Sequence, residues 1–239
     1  MKSLLHTLLA TSAPLLAMVA PLHQAIFMDW GSVVALDALG TVQHTATSVL
    51  TLSYTGITVG KGSNRALVVS INTGVVVTGL SLVWDAAGAN QSLSLIGSSG
   101  TLQYLYGLVA PVSGNKTLTV SWTSPTALAS VVASAWTGVN QTGGVASFAN
   151  VTTLGPTTGT SAAVPVTGAV YDITIAGYGA HTASFTSVDH TQICIDNLYS
   201  GGGGSHASNY AAGASSVTLG AVLSVSQSWR AVGCDIVHA

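Results

Sequence analysis

Three histidines and two aspartates lie close together in the C-terminal part of this 239-residue chain. His181, His190 and His206 span positions 181 to 206, with Asp189 and Asp196 between them. Imidazole and carboxylate groups are common metal ligands, but this spacing matches no compact motif such as H-E-x-x-H. We therefore predict loop histidines here, and neither a metal site nor a cofactor.

The groups that hydrolytic catalysis needs are scattered along the chain. Seven aspartates and no glutamate supply all the carboxylates, whereas glycoside hydrolysis needs two carboxyl groups a few ångströms apart. Most of these aspartates sit at the ends of predicted strands, where Asp favours turns. No serine stands in a G-x-S-x-G elbow. The sequence therefore predicts a protein that is not an enzyme.

Tyrosines around a glycine-rich stretch suggest a binding surface. Tyr178, Tyr199 and Tyr210 flank the four glycines at 201–204, and His206 follows two residues later. Exposed aromatic rings stack on sugar rings, so the three tyrosines and His206 are predicted glycan contacts. Packing in or beside the core is the alternative for the tyrosines. The glycines lack the Lys and Ser/Thr of a phosphate-binding loop, so we predict no phosphate site.

Cys194 and Cys234 are the only thiols. In a secreted protein such a pair suggests a disulfide. Strand alternation argues against it, because Cys194 shares its predicted face with Gln192 and Cys234 shares its face with Ile236. The alternation thus predicts an exposed Cys194 and a buried Cys234. A disulfide between them remains the alternative.

The chain carries little charge. Charged residues make up 5% of it, with five cations, seven anions and a net charge of −2, against about 25% charged residues in typical soluble domains. So few cations cannot neutralise a run of phosphates, which excludes nucleic acid as an expected partner. Strand edges without charge associate readily, so the composition favours a homo-oligomer or a subunit of an assembly. A monomer solubilised by Ser and Thr is the alternative.

Short alternating runs with turn residues between them predict an all-β protein. Leu118, Val120 and Trp122 alternate with polar residues, as in a half-buried strand, whereas 66–71 and 102–109 are apolar on both faces, as in covered central strands. About a dozen strands predict one antiparallel, jelly-roll-like β-sandwich over residues 28–239. Trp84, Trp122 and Trp136 are predicted to lie in or beside its core. The stretch 152–167 is either a surface loop or an edge segment.

Residues 1–27 form a short, apolar, leucine-rich segment that differs from the rest. They resemble a secretory signal with cleavage near Ile26, or an anchor that docks on a partner subunit. Polar residues and two prolines interrupt the segment, so we predict no transmembrane span.

Five stretches, in order along residues 33–239, carry a resemblance to a known kind of module. They are NRALVV at 64–69, VWD at 83–85, YGLVAP at 106–111 continuing to Trp122, AWTGVNQ at 135–141 and WRAVG at 229–233. With them the chain resembles a family of β-sandwich modules found in phage virion proteins and secreted bacterial proteins. The resemblance implies the fold and a place on a particle or cell surface, and it transfers no catalytic residue.

From these features we expect a non-enzymatic structural component of a phage virion, such as a fibre, decoration or tail-associated protein. Its expected partners are other virion subunits or further copies of itself, held through the N-terminal segment and the apolar strands. Contacts to host-surface glycans are a further expectation. The alternative is a secreted bacterial carbohydrate-binding or adhesion module, which would be extracellular.

Overall fold

The computed structural model describes residues 33–45, 47, 49–100, 102–125, 127–197 and 204–239. These residues form eighteen strands and one short 3₁₀-helix, Gly144–Ser147. The strands of the first half are β1 Ala35–Leu39, β2 Gln43–His44, β3 Thr51–Tyr54, β4 Thr58–Val59, β5 Ala66–Thr73, β6 Ser81–Trp84, β7 Gln91–Ser92, β8 Ser94–Ser99, β9 Gln103–Val109, β10 Gly114–Asn115, β11 Leu118–Ser121 and β12 Ala129–Thr137. Those of the second half are β13 Phe148–Val166, β14 Ile173–Ala180, β15 Phe185–Val188, β16 Thr191–Asn197, β17 Ser205–Ala212 and β18 Val217–Ile236.

The strands pair antiparallel in three main sheets. The outer sheet has the order β3-β11-β6-β7, and the central sheet has the order β1-β12-β5-β9-β8, with β2 also on β12. The C-terminal sheet has the order β13-β18-β14-β17-β16, with β15 also on β18. Strands β4 and β10 form a separate pair. The all-β, antiparallel sandwich predicted from the sequence is confirmed, while the jelly-roll connection order stays a prediction.

The central sheet is covered on both faces. Leu67 and Val69 of β5 pack towards the outer sheet, in a cluster with Trp84 and Leu118. The alternate residues, including Val68, pack against the C-terminal sheet in a second cluster. This arrangement explains why the sequences of β5 and β9 are apolar on both faces. Burying each large apolar side chain contributes about 1.5–3 kcal/mol.

The predicted tryptophan positions are confirmed. Trp84 and Trp136 are fully buried and Trp122 is nearly so. The indole N–H groups of the first two donate to Val112 O and Ser134 Oγ. The predicted alternation around Leu118 is also confirmed, since Leu118, Val120 and Trp122 are buried while their neighbours are not.

The C-terminal sheet folds back on itself. The long strands β13 and β18 pair along most of their length, with bulges near Leu154 and Gly159 that bend the ribbon. Asn150 and Thr152 donate side-chain hydrogen bonds to the carbonyls of Thr167 and Pro165, which joins the two halves of β13. A third apolar cluster fills the fold, with Tyr178, Phe185, Leu219 and Trp229 among its members.

Some sequence predictions need correction or lie outside the described residues. Residues 152–166 belong to β13, which lies at the edge of the C-terminal sheet, and this supports the edge-segment alternative for 152–167. The predicted strands did not include β1, β15 or β17, and the eighteen observed strands exceed the predicted dozen. From Val33 onward the described residues belong to one compact unit. The predictions for residues 1–27 and for a domain start at 28 fall on residues outside the described ranges. No helix among the described residues has the length and apolar character to cross a membrane.

Candidate functional site: a buried polar network between two sheets

A row of polar side chains joins the central sheet to the C-terminal sheet. Ser70 on β5 and Ser130 on β12 come from the central sheet, while Asp196 on β16 and His206 on β17 come from the C-terminal sheet. Ser70 Oγ lies 2.8 Å from His206 Nε2, and Ser130 Oγ lies 3.1 Å from His206 Nδ1. Ser130 also donates to Asp196 Oδ2 at 2.6 Å. The imidazole therefore bridges two serines on neighbouring strands.

The donors and acceptors form one consistent chain, which fixes the tautomer of His206. Gln103 Nε2 donates to Ser70 Oγ at 3.0 Å, so the Ser70 hydroxyl is free to donate to His206 Nε2. The proton of the imidazole then sits on Nδ1 and is donated to Ser130, whose hydroxyl donates to the Asp196 carboxylate. A neutral ring satisfies every one of these bonds.

Burial keeps His206 neutral. His206 is 0% exposed, and Ser70 and Ser130 are 3% and 1% exposed. Burial lowers the pKa of His206 to about 3, because an imidazolium would lose its hydration in the interior. At the edge of the network His44 Nδ1 lies 3.5 Å from Asp196 Oδ2, with the His44 side chain 45% exposed.

Two glycines on β14 allow the sheets to approach closely at the network. A Cβ at Gly177 would overlap Ser70 Oγ and lie 2.5 Å from Gln103 Nε2. A Cβ at Gly179 would overlap Asn72 Nδ2 and lie 3.1 Å from Gln103 Oε1. The polar residues of the central sheet therefore sit against the bare backbone of β14.

This arrangement resembles a hydrolytic triad in composition but not in geometry. In a working triad the carboxylate binds the histidine directly and the serine faces substrate. Here Ser130 stands between His206 and Asp196, and Ser70 is enclosed between two sheets. The network fastens two layers together, and each satisfied buried hydrogen bond contributes about 1 kcal/mol.

The predicted glycan contacts do not form one exposed surface. Tyr178 and His206 are both fully buried, so neither can stack on a sugar, and this expectation was wrong. Tyr178 donates to Asn209 Oδ1, and Tyr210 is half-buried with its ring edge against Trp136. Core packing, the alternative for the tyrosines, is what the structure shows for Tyr178. Tyr199 lies outside the described residues.

The histidines and aspartates between positions 181 and 206 do not come together in the structure. His181 and His190 are exposed, and His190 Nε2 lies near the Thr218 carbonyl. Asp189 accepts hydrogen bonds from Gly220 N and Asn209 Nδ2. Within the described ranges no group of three or more His, Cys or Asp side chains could hold a metal ion. His206 is a buried strand residue, which corrects the prediction of a loop histidine.

Cys194 and Cys234 are both free and both buried. Two strands, β14 and β17, separate them in the C-terminal sheet, which is about 14 Å at the usual strand spacing and too far for a bridge. The prediction of a wet Cys194 was wrong, because a β-bulge between Gln192 and Cys194 shifts the alternation and buries Ile193 and Cys194 together.

We expect both thiols to resist modification in the folded protein. Burial raises the pKa of each far above its usual value, so little thiolate exists to react. A thiol reagent should modify neither cysteine in native protein, and both in denaturant without reductant. Finding no reactive thiol in denaturant would instead indicate a disulfide.

A second buried polar cluster lies near the C-terminus. Asp172 Oδ1 accepts from the backbone N–H of His238 at 2.8 Å and lies 2.6 Å from His238 Nδ1. Burial, followed by the hydrogen bond and negative charge of Asp172, raises the pKa of Asp235 to about 8. Burial also acts to raise the pKa of Asp172, but the bonds from His238 and Asp235 outweigh it and lower that pKa. Asp235 is thus a protonated donor to an ionised Asp172.

The Asp235→Asn variant is expected to be more stable than the wild type at alkaline pH. The pKa of Asp235 is higher in the folded state than in the unfolded state, so wild-type stability falls as pH rises from about 4 through 8. An asparagine keeps the donor without this titration. Thermal unfolding at pH 9 should show a gain of at least about 1.4 kcal/mol, the equivalent of one pKa unit. Asp37→Asn, at an exposed carboxylate, is the control. An Asp235→Asn gain that does not grow between pH 5 and 9 would contradict the assignment.

The fold and its polar interior define a layered, all-β sandwich protein whose reactive side chains hold the layers together. Comparison with protein-family models finds no match, and no curated protein matches the chain. The functional argument therefore depends on the geometry described above.

Proposed function

We propose that this protein is a non-enzymatic structural component of a phage particle, such as a fibre, decoration or tail-associated subunit. The observation that supports this best is the location of the reactive side chains. The Ser70–His206–Ser130–Asp196 network lies in the interior between two sheets, where it holds layers and reaches no substrate.

The carboxylates support the same conclusion. Each aspartate among the described residues makes a structural hydrogen bond. The partners are Gly60 N for Asp37, Ala89 N for Asp85, His238 for Asp172, Gly220 N for Asp189, Ser130 for Asp196 and Asp172 for Asp235. Glycoside hydrolysis needs two carboxyl groups that face an open cleft. These six aspartates do not form such a pair.

The surface supports a role in an assembly. Val76, Val170 and Val225 are each more than half exposed, on a chain in which charged residues make up only 5%. Exposed apolar side chains and weakly charged strand edges are typical of surfaces that meet other subunits. A subunit within a particle would cover such positions.

The experiment is to follow the chain during particle purification. An antibody raised against folded protein should detect it in density-gradient fractions that contain particles, and immunogold labelling should place it on them. The purified protein should leave a panel of polysaccharides intact. Detection only in particle-free supernatant, together with binding on a glycan array, would replace the proposal by a secreted carbohydrate-binding or adhesion module.

A further inference from the structure

A small cavity lies at one end of the interface between the central and C-terminal sheets. Asn72 and Thr73, at the end of β5, form one side, and Gly179, His181 and Arg230 form the other. The free volume is about 10 Å³, which is the room that a single water molecule needs. The cavity therefore suits one compact particle and not a whole sugar or nucleotide.

Arg230 gives this cavity an unusual chemistry. Its Nε is buried and has no hydrogen-bond partner. Two other cations have partners, since Arg65 Nε donates to Pro111 O and Lys116 Nζ lies 3.4 Å from Asp85. A buried, unsatisfied donor in a folded protein calls for an explanation such as a bound water or ion.

The charge around the cavity favours an anion. Arg230 contributes a permanent positive charge and His181 an ionisable imidazole, while no aspartate of the described residues lines the cavity. Asn72 is held beside it, because the bare backbone of Gly179 leaves room for the Asn72 amide. A guanidinium with a nearby amide is well suited to bind a small anion.

We propose that this cavity binds one halide ion, the compact anion that its volume suits best. The anion accepts the Nε–H of Arg230 on β18 and so links that strand to the end of β5. The site fastens the sheet interface beyond the end of the His206 network. A ligand that binds only the folded state adds stability in proportion to its occupancy. This inference does not depend on the proposed virion role.

Crystals of the full chain soaked in sodium bromide test the site directly. Anomalous diffraction at the bromine edge should show a peak within hydrogen-bond distance of Arg230 Nε. Absence of that peak, while exposed sites elsewhere on the protein take up bromide, would overturn the proposal.

Solution titrations test whether the site selects a halide by size. Chloride and formate are added in parallel at constant ionic strength, with isethionate as the bulky balancing anion, and the Arg230 Nε–H resonance is followed by NMR. A saturable shift with chloride and none with formate is expected, because formate is too large for the cavity. Tighter binding of formate than of chloride, or no saturable shift with chloride, would overturn the proposal.

A matched pair of variants distinguishes specific binding at this cavity from a general effect of net charge on anion affinity. Arg230→Gln should weaken anion affinity at least about tenfold, as expected for loss of a charged hydrogen bond. Lys61→Gln removes the same charge from an exposed position and should leave affinity unchanged. Equal weakening in both variants would contradict a specific site. If Arg230→Gln does not fold, the bromide experiment on the wild-type chain still decides.

Discussion

Replacement of His206 by alanine is expected to lower the free energy of unfolding by about 3–5 kcal/mol, the range for losing a buried side chain together with its hydrogen bonds. The change removes the acceptor of the Ser70 hydroxyl and the donor to Ser130. It also leaves a cavity between two sheets. For a chain of this size, 1 kcal/mol corresponds to about 2–4 °C in Tm, so the loss is readily measured by thermal and urea unfolding.

A histidine outside the network supplies the control. His181 is exposed, and His181→Ala should change stability by no more than about 0.5 kcal/mol. The loss of stability in His206→Gln should lie between the losses in His206→Ala and His181→Ala. The glutamine amide can replace one of the two hydrogen bonds that the imidazole makes with Ser70 and Ser130. A loss below about 1 kcal/mol for His206→Ala would show that the network does not hold the layers together.

The same residue makes the protein sensitive to acid. The folded-state pKa of His206, about 3, lies below the usual histidine pKa of 6.5. Between pH 6.5 and about 3, the unfolded chain therefore binds more protons than the folded chain. The contribution of His206 to stability is fully present above pH 6.5 and is lost as the pH falls through this interval. The limiting slope for one group is about 1.4 kcal/mol per pH unit. His206→Gln lacks this titration, so its deficit relative to wild type should narrow below pH 6.5.

Gly177→Ala is expected to cost about 3 kcal/mol, from overpacking and from disrupted hydrogen bonds. The added Cβ would overlap Ser70 Oγ and press on Gln103 Nε2. Both atoms belong to the network and are held by other bonds, so neither can move away without breaking one. Urea unfolding of the variant measures the loss.

Two further variants make this test specific. At Gly159 an added Cβ would meet nothing closer than 3.7 Å, so Gly159→Ala should be neutral or slightly stabilising. Adding Ser70→Ala to Gly177→Ala removes the overlapping oxygen. The double variant should therefore lose less than the sum of the two single changes. Strict additivity would show that Gly177 and Ser70 are not in contact.

Strands with regular alternation could be predicted from the sequence, whether one face is exposed or both faces are buried. Leu118, Val120 and Trp122 lie on the buried face of a strand of the first kind, and β5 is of the second kind. The prediction failed where another layer of the fold covers a face that the alternation marks as exposed. Thr174 reads as the polar side of a half-buried strand, yet it is fully buried, because the ribbon of β13 and β18 folds over β14.

Local irregularities account for other errors. A single extra residue at the bulge before Cys194 reverses the face of every residue after it. His206 follows four glycines, which suggested an exposed loop, but it lies in a strand that both neighbouring strands pair. A β-bulge such as the one before Cys194 has no reliable signal in a single sequence.

The network itself was beyond prediction, because its members are far apart in the chain. Ser70 and His206 are separated by 136 positions, and Ser130 and Asp196 by 66. One signal was present: Ser70 and Ser130 are the only polar residues in the stretches 66–71 and 129–133 of these two strands. A hydroxyl in such a position needs a buried partner, which points to a polar residue on the facing sheet without identifying it.

The most direct test of the proposed role is intact-protein mass spectrometry of purified phage particles, with the copy number determined against a labelled standard. The role as a retained particle subunit predicts the chain at a fixed copy number per particle, with a mass that includes Lys2 and the rest of residues 1–27. A chain absent from particles and recovered from the supernatant with its N-terminus near Ile26 would contradict the role and indicate a secreted module.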